Sequence, residues 1–558
     1  MEARAFDRAR SLARLAAEEF DVVVVGGGIT GAGVALDAAS RGLRTALVER
    51  EDFASGTSSK SSKMVHGGLR YLEQGDFRLV YEALRERERL RRNAPHLVRI
   101  LPFMIPLFRK KGLIDPRIAR ALGAAMWIYD LTGGLRSGKL HRRLGVDETL
   151  AHAPMLSRER IAGAYLYYDA EADDARLTLA VVRTAALGHG AAVANRVAVV
   201  GLARDARGKV CGVRAEADGR TIEIRARVVV NAAGVWADEV AALGNPERSA
   251  TIRPAKGIHI TVPRAKLPID LAVTLPGVDG ERTICAVPWG DRVYVGTTDT
   301  TYDGPLGDPQ CEPADVDFLL RALSAGTTES FTKEDVLGSW AGLRPLLGQP
   351  GTSRTVDLSR RHRVSVSAPW MISITGGKLT TYRQMAEDTV DSALRVLGVR
   401  RGRRLRCRTA RLRLLGAAGL EQARGHRGVP PDRASHLAGR YGGEATALFA
   451  LLERHPELGA PLVPGLPYLR VEAVYAARHE MATCLDDVLS RRTRARLLAR
   501  DASAAAAERV ADLLGDELGW SPERRRDEVV AYRASIEHER SSAALQETRA
   551  PHGNGVAA

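Results

Sequence analysis

The sequence predicts an α/β domain of the Rossmann-like, dinucleotide-binding kind, an α+β substrate domain on an antiparallel sheet, and an all-α C-terminal domain. Three observations carry that prediction. Phe20 to Glu49 reads as strand, glycine turn, helix and second strand in immediate succession. From about Arg253 to Asp299 the pattern becomes alternating and strand-rich, in IHITVP, TICAVPW and RVYVGTTD. Beyond Arg413, apolar residues recur at helical spacing.

Residues 1–19 are charged throughout and lack an apolar core, so they read as an N-terminal extension rather than a signal peptide. Val22 to Val25, four valines without alternation, predict a strand buried on both faces. Gly26-x-Gly28-x-x-Gly31 follows directly, and a helix is expected over Ala32 to Arg41. Gly26 permits the sharp turn, Gly28 lets the backbone approach a pyrophosphate, and Gly31 lets helix and strand pack closely. Unpaired N–H groups at the helix start then face the anion. The strand Thr45 to Val48 ends on Glu49, where a carboxylate accepts bonds from a ribose diol. This unit does not separate NAD from FAD, but the acid argues against NADP.

Arg78 to Arg92 reads as an amphipathic, charge-laced helix. Strands are expected at Ala191 to Leu202, Val210 to Ala215 and Thr221 to Val230, the last running into Asn231-Ala232-Ala233-Gly234-Val235-Trp236. Small residues after a buried strand mark a second close approach of backbone to ligand, at Gly234. Trp370 to Ile374 leads into Thr375-Gly376-Gly377-Lys378-Leu379-Thr380-Thr381, a third strand–glycine–helix junction. It is no Walker A loop, because Ile372 stands where that motif needs glycine. Val399 to Arg413 is Arg-rich and reads as a linker. Helices are expected over Ala434 to Tyr441, Glu444 to Glu453, Val471 to Leu485, Arg491 to Leu514 and Pro522 to Ile536, before a disordered tail over 541–558. The expected domains are thus 20–400, divided into nucleotide segments (about 20–70, 185–250 and 355–400) and substrate segments (about 71–184 and 251–354), then 401–540.

At 558 residues the chain exceeds one compact core. Five scattered cysteines, with no CxxC or Cys/His cluster, indicate neither a disulfide framework nor a metal site, and fit a reducing cytoplasm. No apolar run is long enough to span a bilayer. The net charge of +15 reads mainly as compositional use of Arg, with attraction to an anionic membrane surface as a second contribution. Nucleic acid is excluded as a partner: Arg is spread along the chain, and 5% aromatic residues offer little stacking surface. In Phe103 to Lys111 apolar residues sit beside cations, which suits an interfacial contact; a substrate-domain strand followed by a basic loop is the preferred assignment.

Several motifs converge on one family. TSSKSSKMVHGGLRYLEQGDFRLV (Thr57 to Val80), KGIHITVP (Lys256 to Pro263), AGLRPLL (Ala341 to Leu347), SRRH (Ser359 to His362), GGKLTTYR (Gly376 to Arg383) and YAARHEMATCLDDVLSRRTR (Tyr475 to Arg494) resemble the FAD-dependent, aerobic, quinone-linked glycerol-3-phosphate dehydrogenases. The resemblance implies non-covalent FAD in a glutathione-reductase-type, D-amino-acid-oxidase-like domain. It further implies oxidation of sn-glycerol 3-phosphate to dihydroxyacetone phosphate, with hydride passing from C2 to flavin N5 and electrons onward to a quinone. It places Thr57, Ser58, Ser59, Ser61 and Ser62 against the FAD phosphates and ring, and Gly376 to Thr380 with Lys378 at the flavin pyrimidine edge. Arg70, Tyr71, Arg344, Arg360 and Lys378 are the implied phosphate-substrate contacts, since a phosphate monoester needs dense, forked positive charge. His66 and His259 both remain candidates for the base, and Arg344 is a candidate to orient and polarise the hydroxyl. Quinone reduction implies peripheral attachment to the inner face of the cell membrane, and a homodimer is admitted. The alternative is a glycerol-3-phosphate oxidase that passes electrons to oxygen and makes hydrogen peroxide. An amine or amino-acid oxidase is disfavoured, because a carboxylate needs only one clamp.

Overall fold

Val22 and Val24 enter the core shared with a helix over Ile29–Ser40, while Val23 and Val25 enter a second core with Leu15 of a helix over Arg8–Ala17. Burial on both sides is why this strand, Glu19–Val25, carries no alternation. The computed structural model describes residues 6–69, 76–109, 123, 126–130, 138–247, 249–278, 283–348, 361–399 and 405–548. The first sheet runs His362–Ala368, Met371–Gly376, Arg220–Asn231, Glu19–Val25, Thr45–Val48, Ala192–Ala194, with a hairpin of Ala198–Arg204 and Val210–Ala217 extending from Arg220–Asn231. All pairs along its centre are parallel, and Val48, Val25, Asn231 and Ser373 stand in register. Three of these strands therefore end level, the fourth runs on to Gly376, and the turns after them open on one crevice. A doubly wound sheet binds its ligand there.

The second sheet takes Ile252–Pro263 as its axis, paired antiparallel with both Gly338–Leu347 and Arg292–Gly296. It continues through Thr283–Trp289, Ala272–Pro276, Val98–Phe108 and Ile161–Ala172 to Met64–Val65. One pair, Ala272–Pro276 with Val98–Phe108, is parallel, so the sheet is mixed. Ile258, Ile260 and Val262 pack under a helix over Pro313–Gly326. Period-two alternation puts His259 on the opposite face, against Trp340 and Tyr294.

Several boundaries differ from expectation. The first crossover helix starts at Ile29, so Gly31 lies inside its opening turn. Arg8–Ala17 is no loose extension: Leu15 is buried, and Arg8 donates to the Asn195 carbonyl (2.9 Å) and pairs with Asp218 (2.8 Å). The helix over Asp174–Arg183 packs on Ile29–Ser40, which places it with the nucleotide-binding sheet. Phe103, Met104, Leu107 and Phe108 are buried in a strand, which leaves them unavailable to an interface; Lys110 and Lys111 lie outside the described residues.

The C-terminal region forms helices over Pro431–Tyr441, Ala445–Arg454, Arg470–His479, Ala507–Leu518 and Pro522–Ser542. The helices expected over Val471 to Leu485 and Arg491 to Leu514 are interrupted at His479 and again at Thr493, Ala499 and Ala506. There the chain bends to deliver arginines to the nucleotide-binding domain. Chain order also persists past Ser541: Leu545 is buried and the Thr548 hydroxyl donates to Asp501 (2.7 Å). Residues 549–558 lie outside the described set. Among the described residues no helix is long and apolar enough to cross a membrane.

Buried ion pairs join the two parts. Arg176 meets Glu480 at 2.7 Å and Arg183 meets Glu444 at 2.7 Å. Asp52, wholly buried, accepts from Arg491 Nε (2.6 Å) and Arg492 Nη2 (2.8 Å), and these guanidiniums hold its carboxyl well below the usual range against the cost of burial. Asp52→Asn leaves the buried Arg492 guanidinium short of its counter-charge, while Arg491 keeps Asp486 and Asp487. The expected loss is about 3–5 kcal/mol, measured as a lower unfolding midpoint of the purified protein in urea.

Candidate functional site

The crevice at the level strand ends is a cavity of about 330 Å³ lined by Gly26, Gly28, Glu49, Ser58, Gly234, Gly376 and Gly377, among others. Its walls are backbone because side chains do not fit. Gly26 sits at φ +111°, and a Cβ there would stand 2.7 Å from the Ala232 carbonyl oxygen; one on Gly31 would overlap the carbonyl of Gly26. Gly31 is thus a packing residue rather than a wall. Gly28 caps the helix Ile29–Ser40, and the Ser58 hydroxyl accepts the Ile29 N–H at 2.9 Å. Glu49 accepts from the N–H groups of Gly27 (2.6 Å) and Glu51 (2.9 Å) while burial pushes its carboxyl up. A cradle emptied of side chains, a helix N-terminus and a carboxylate at the second strand end together fit the pyrophosphate and ribose of FAD.

A second cavity of about 220 Å³ adjoins the first along Thr57, Ser58, Gly377, Lys378 and Leu379. His66, His259, Arg344, Lys378 and Thr380 line it. The Arg344 side chain crosses its partner strand at Gly257, where a Cβ would come within 2.5 Å of Nη2. Its Nη2 donates to Thr297 Oγ1 and the Thr298 carbonyl (both 3.2 Å), and Nη1 meets Asp299 at 3.3 Å. His259 stacks on Trp340 with ring centres 4.8 Å apart, and its Nε2 lies 2.9 Å from the Ser62 hydroxyl. A Cβ on Gly296 would overlap the imidazole. Burial, then Lys63 and Arg344, drive the His259 ring well below its ordinary range. Burial likewise pulls His66 down to about 4, opposed by Asp169 and assisted by Lys378 and Arg87. Thr380 Oγ1 ties the lysine turn to His66, accepting its N–H at 3.1 Å and donating to its carbonyl at 3.3 Å.

The structure thus brings together most residues singled out from sequence. Thr57 lines both cavities and anchors the wall by donating to the Leu343 carbonyl (2.6 Å). Ser61 and Ser62 line the second cavity; Ser61 is bonded to Asp174 and Ser62 to His259. Ser59 instead faces a neighbouring cavity beside Arg494. Arg70, Tyr71 and Arg360 lie outside the described residues. Sequence reasoning did not single out Gly257, Gly296, Trp340, Asp299, Lys63 or Asp174. Glycine inside the strands of KGIHITVP and RVYVGTTD was the available signal, since it marks close approach. Nothing local pointed to Asp299 or Asp174.

Residues 21–383 match the FAD dependent oxidoreductase family, and residues 407–525 match the C-terminal domain of alpha-glycerophosphate oxidase. A glycerol-3-phosphate dehydrogenase of Mycobacterium leprae is 42% identical over 542 residues, covering 95% of this chain and 90% of the relative. A probable mitochondrial glycerol-3-phosphate dehydrogenase of Caenorhabditis elegans is 38% identical, covering 95% of this chain and 75% of the relative. The crystal structure of the glycerol-3-phosphate dehydrogenase from Bacillus halodurans, complexed with FAD, superposes with a TM-score of 0.77 at 30% identity, over 96% of this chain and 98% of that one. The chain belongs to the FAD-dependent glycerol-3-phosphate dehydrogenase family.

Because Gly31 has no room for a methyl group, Gly31→Ala forces the helix start away from the glycine turn. The purified variant is expected to carry no flavin absorbance while retaining its far-ultraviolet circular dichroism.

Proposed function

We propose that this member of the family oxidises sn-glycerol 3-phosphate to dihydroxyacetone phosphate and passes the electrons to a quinone. The observation that carries the proposal is the second cavity, where a forked guanidinium and an ammonium stand beside two neutral imidazoles at the edge of the cofactor crevice. Bound FAD supplies the hydride acceptor. Arg344, oriented by Asp299 and Thr297, offers a planar fork to the phosphate or the C2 hydroxyl, and Lys378 adds a point charge. Arg70, Tyr71 and Arg360 remain proposed further contacts to the phosphate. His259 is the better base: its ring lines the cavity beside Arg344 and is held in place by the Ser62 hydroxyl, 2.9 Å from Nε2, through which the hydroxyl proton is taken. His66 then serves to shape the cavity floor. The aromatic and strand walls that bury His259 exclude water from the transfer.

A lipid-soluble acceptor requires the protein to reach a bilayer. The net charge of +15 and the exposed side chains of Phe77, Trp127 and Leu140 support a peripheral contact on the inner face of the membrane. Turnover of the holoenzyme with a soluble quinone analogue, compared with peroxide release in air, tests the acceptor; peroxide at full turnover reverses the proposal in favour of the oxidase. Loss of the Arg344 fork in Arg344→Ala is expected to lower kcat/KM about 10- to 100-fold with FAD still bound, read from steady-state kinetics and the flavin spectrum. Both imidazoles are depressed, so both are already neutral at pH 7 and gain protons only on strong acidification. Flavin reduction at saturating substrate is therefore expected to change by less than about twofold between about pH 8 and about pH 6.5, in a stopped-flow pH series. A rate that falls with a pKa near that of free histidine would contradict the assignment.

A further inference from the structure

We infer that Arg494, Asp174 and Ser61 form a positioning relay through which the C-terminal domain fixes the Ser62 hydroxyl against His259. The inference rests on the proposed role of His259 and goes beyond it, because Arg494 and Asp174 act on the cavity wall at Ser61 and Ser62 and do not line the cavity themselves.

The segment Thr57 to Lys63 separates the cofactor crevice from the substrate cavity, and its last three residues wrap around one carboxylate. Asp174 is wholly buried at the start of its helix, where the dipole favours a negative charge. Its Oδ2 accepts from the Ser61 N–H (3.1 Å) and the Ser61 hydroxyl (2.7 Å), and its Oδ1 lies 3.2 Å from Lys63 Nζ. Ser61 Oγ in turn accepts the Lys63 N–H at 3.0 Å. Lys63 itself sits at φ +54°, a left-handed conformation that surrounding bonds must hold in place. Between these two anchored residues the Ser62 side chain reaches His259 Nε2, and its carbonyl accepts the Tyr294 hydroxyl at 2.9 Å.

Arg494 closes the arrangement from the other domain. It donates to Asp174 and Asp173, and also to the Ser59 carbonyl (3.4 Å), which Lys63 Nζ approaches at 3.0 Å. The guanidinium thus holds one end of the 59–63 bend directly at Ser59 and the other through Asp174. Arg494 is 1% exposed, so no water replaces it cheaply. Arg492, two residues earlier, fastens the same domain to Asp52 and is braced within it by the Glu480 carbonyl, with no bond to residues 59–63. That difference separates positioning from general cohesion between the domains.

The test is a double-mutant cycle on the holoenzyme with Arg494→Lys and Ser61→Ala, and Arg492→Lys as the comparison. Reduction of wild-type flavin by glycerol 3-phosphate is checked first, and its failure counts against the proposed function alone. Melting temperatures of the four cycle members test the network whatever the substrate. They are expected to be non-additive, and simple addition overturns the relay. Each single variant is expected to keep its flavin spectrum and substrate affinity but to reduce flavin roughly 10- to 100-fold more slowly, with the double variant no slower than the slower single. Multiplying effects on the rate, or an equal slowing in Arg492→Lys, overturn the positioning role and leave only domain cohesion.

Discussion

The structure depends on one steric constraint: four parallel strands open on one crevice, and the turns that follow must leave the space above them clear of side chains. Gly26, Gly234, Gly376 and Gly377 meet it with positive φ, a conformation that other residues rarely adopt. The result is a trough with a helix N-terminus at its side and peptide N–H groups exposed along it. Chemistry follows from where the second sheet meets this trough. The wall at Thr57 and Ser58 is pinned to Leu343 and Ile29, so Arg344, next along that strand, is held at the cofactor edge.

Arginine has two roles in this chain that composition does not separate. A high net charge suggests a solvated cationic surface, yet Arg87, Arg492, Arg494 and Arg500 are among the largest fully buried side chains. Arg87, Arg492 and Arg494 are matched by carboxylates from distant segments, as Arg87 is by Asp169 at 2.7 Å, whereas Arg500 pairs with its neighbour Asp501. Such pairs return little net stability compared with apolar packing, but breaking one is costly. They therefore act as specific fasteners that fix which segment lies against which. The C-terminal domain is joined to the nucleotide-binding domain in this way, with arginines from one helix-and-turn stretch meeting Asp52, Asp173 and Asp174.

The glycine turns were legible because their function is local: each needs only a strand, a small residue and a helix in order. The substrate strand was legible for the same reason, since IHITVP alternates cleanly and places His259 opposite Ile258 and Ile260. Ser61 and Ser59 were harder, because a serine run announces close contact without saying with what. Their partners, Asp174 and Arg494, lie 113 and 435 residues away. The broken helices after Val471 were misjudged on similar grounds. Helical periodicity persists there, but the ion pairs of Arg491, Arg492 and Arg494 bend the chain more strongly than propensity straightens it. The helix at Arg8–Ala17 reads as an extension from sequence because the segment is charged throughout, and only the sheet beneath it reveals why Leu15 is apolar.

In the proposed reaction the site's electrostatics are self-consistent in a way that neither cavity shows alone. Cations are needed to hold a phosphate, and they add to a depression that burial already imposes on the imidazoles beside them, Lys378 on His66 and Lys63 with Arg344 on His259. An imidazole depressed in the free protein is neutral and ready to accept a proton, but it is a weak base. The arriving phosphate carries the missing negative charge. It offsets part of the field of Arg344 and Lys378 and so raises the proton affinity of the same imidazoles on binding, while burial, the larger cause, still holds them below the range of free histidine. Base strength is thereby coupled to occupancy of the cavity by an anion. A neutral alcohol in the same place lacks this coupling, and the site discriminates against it by charge as well as by contact.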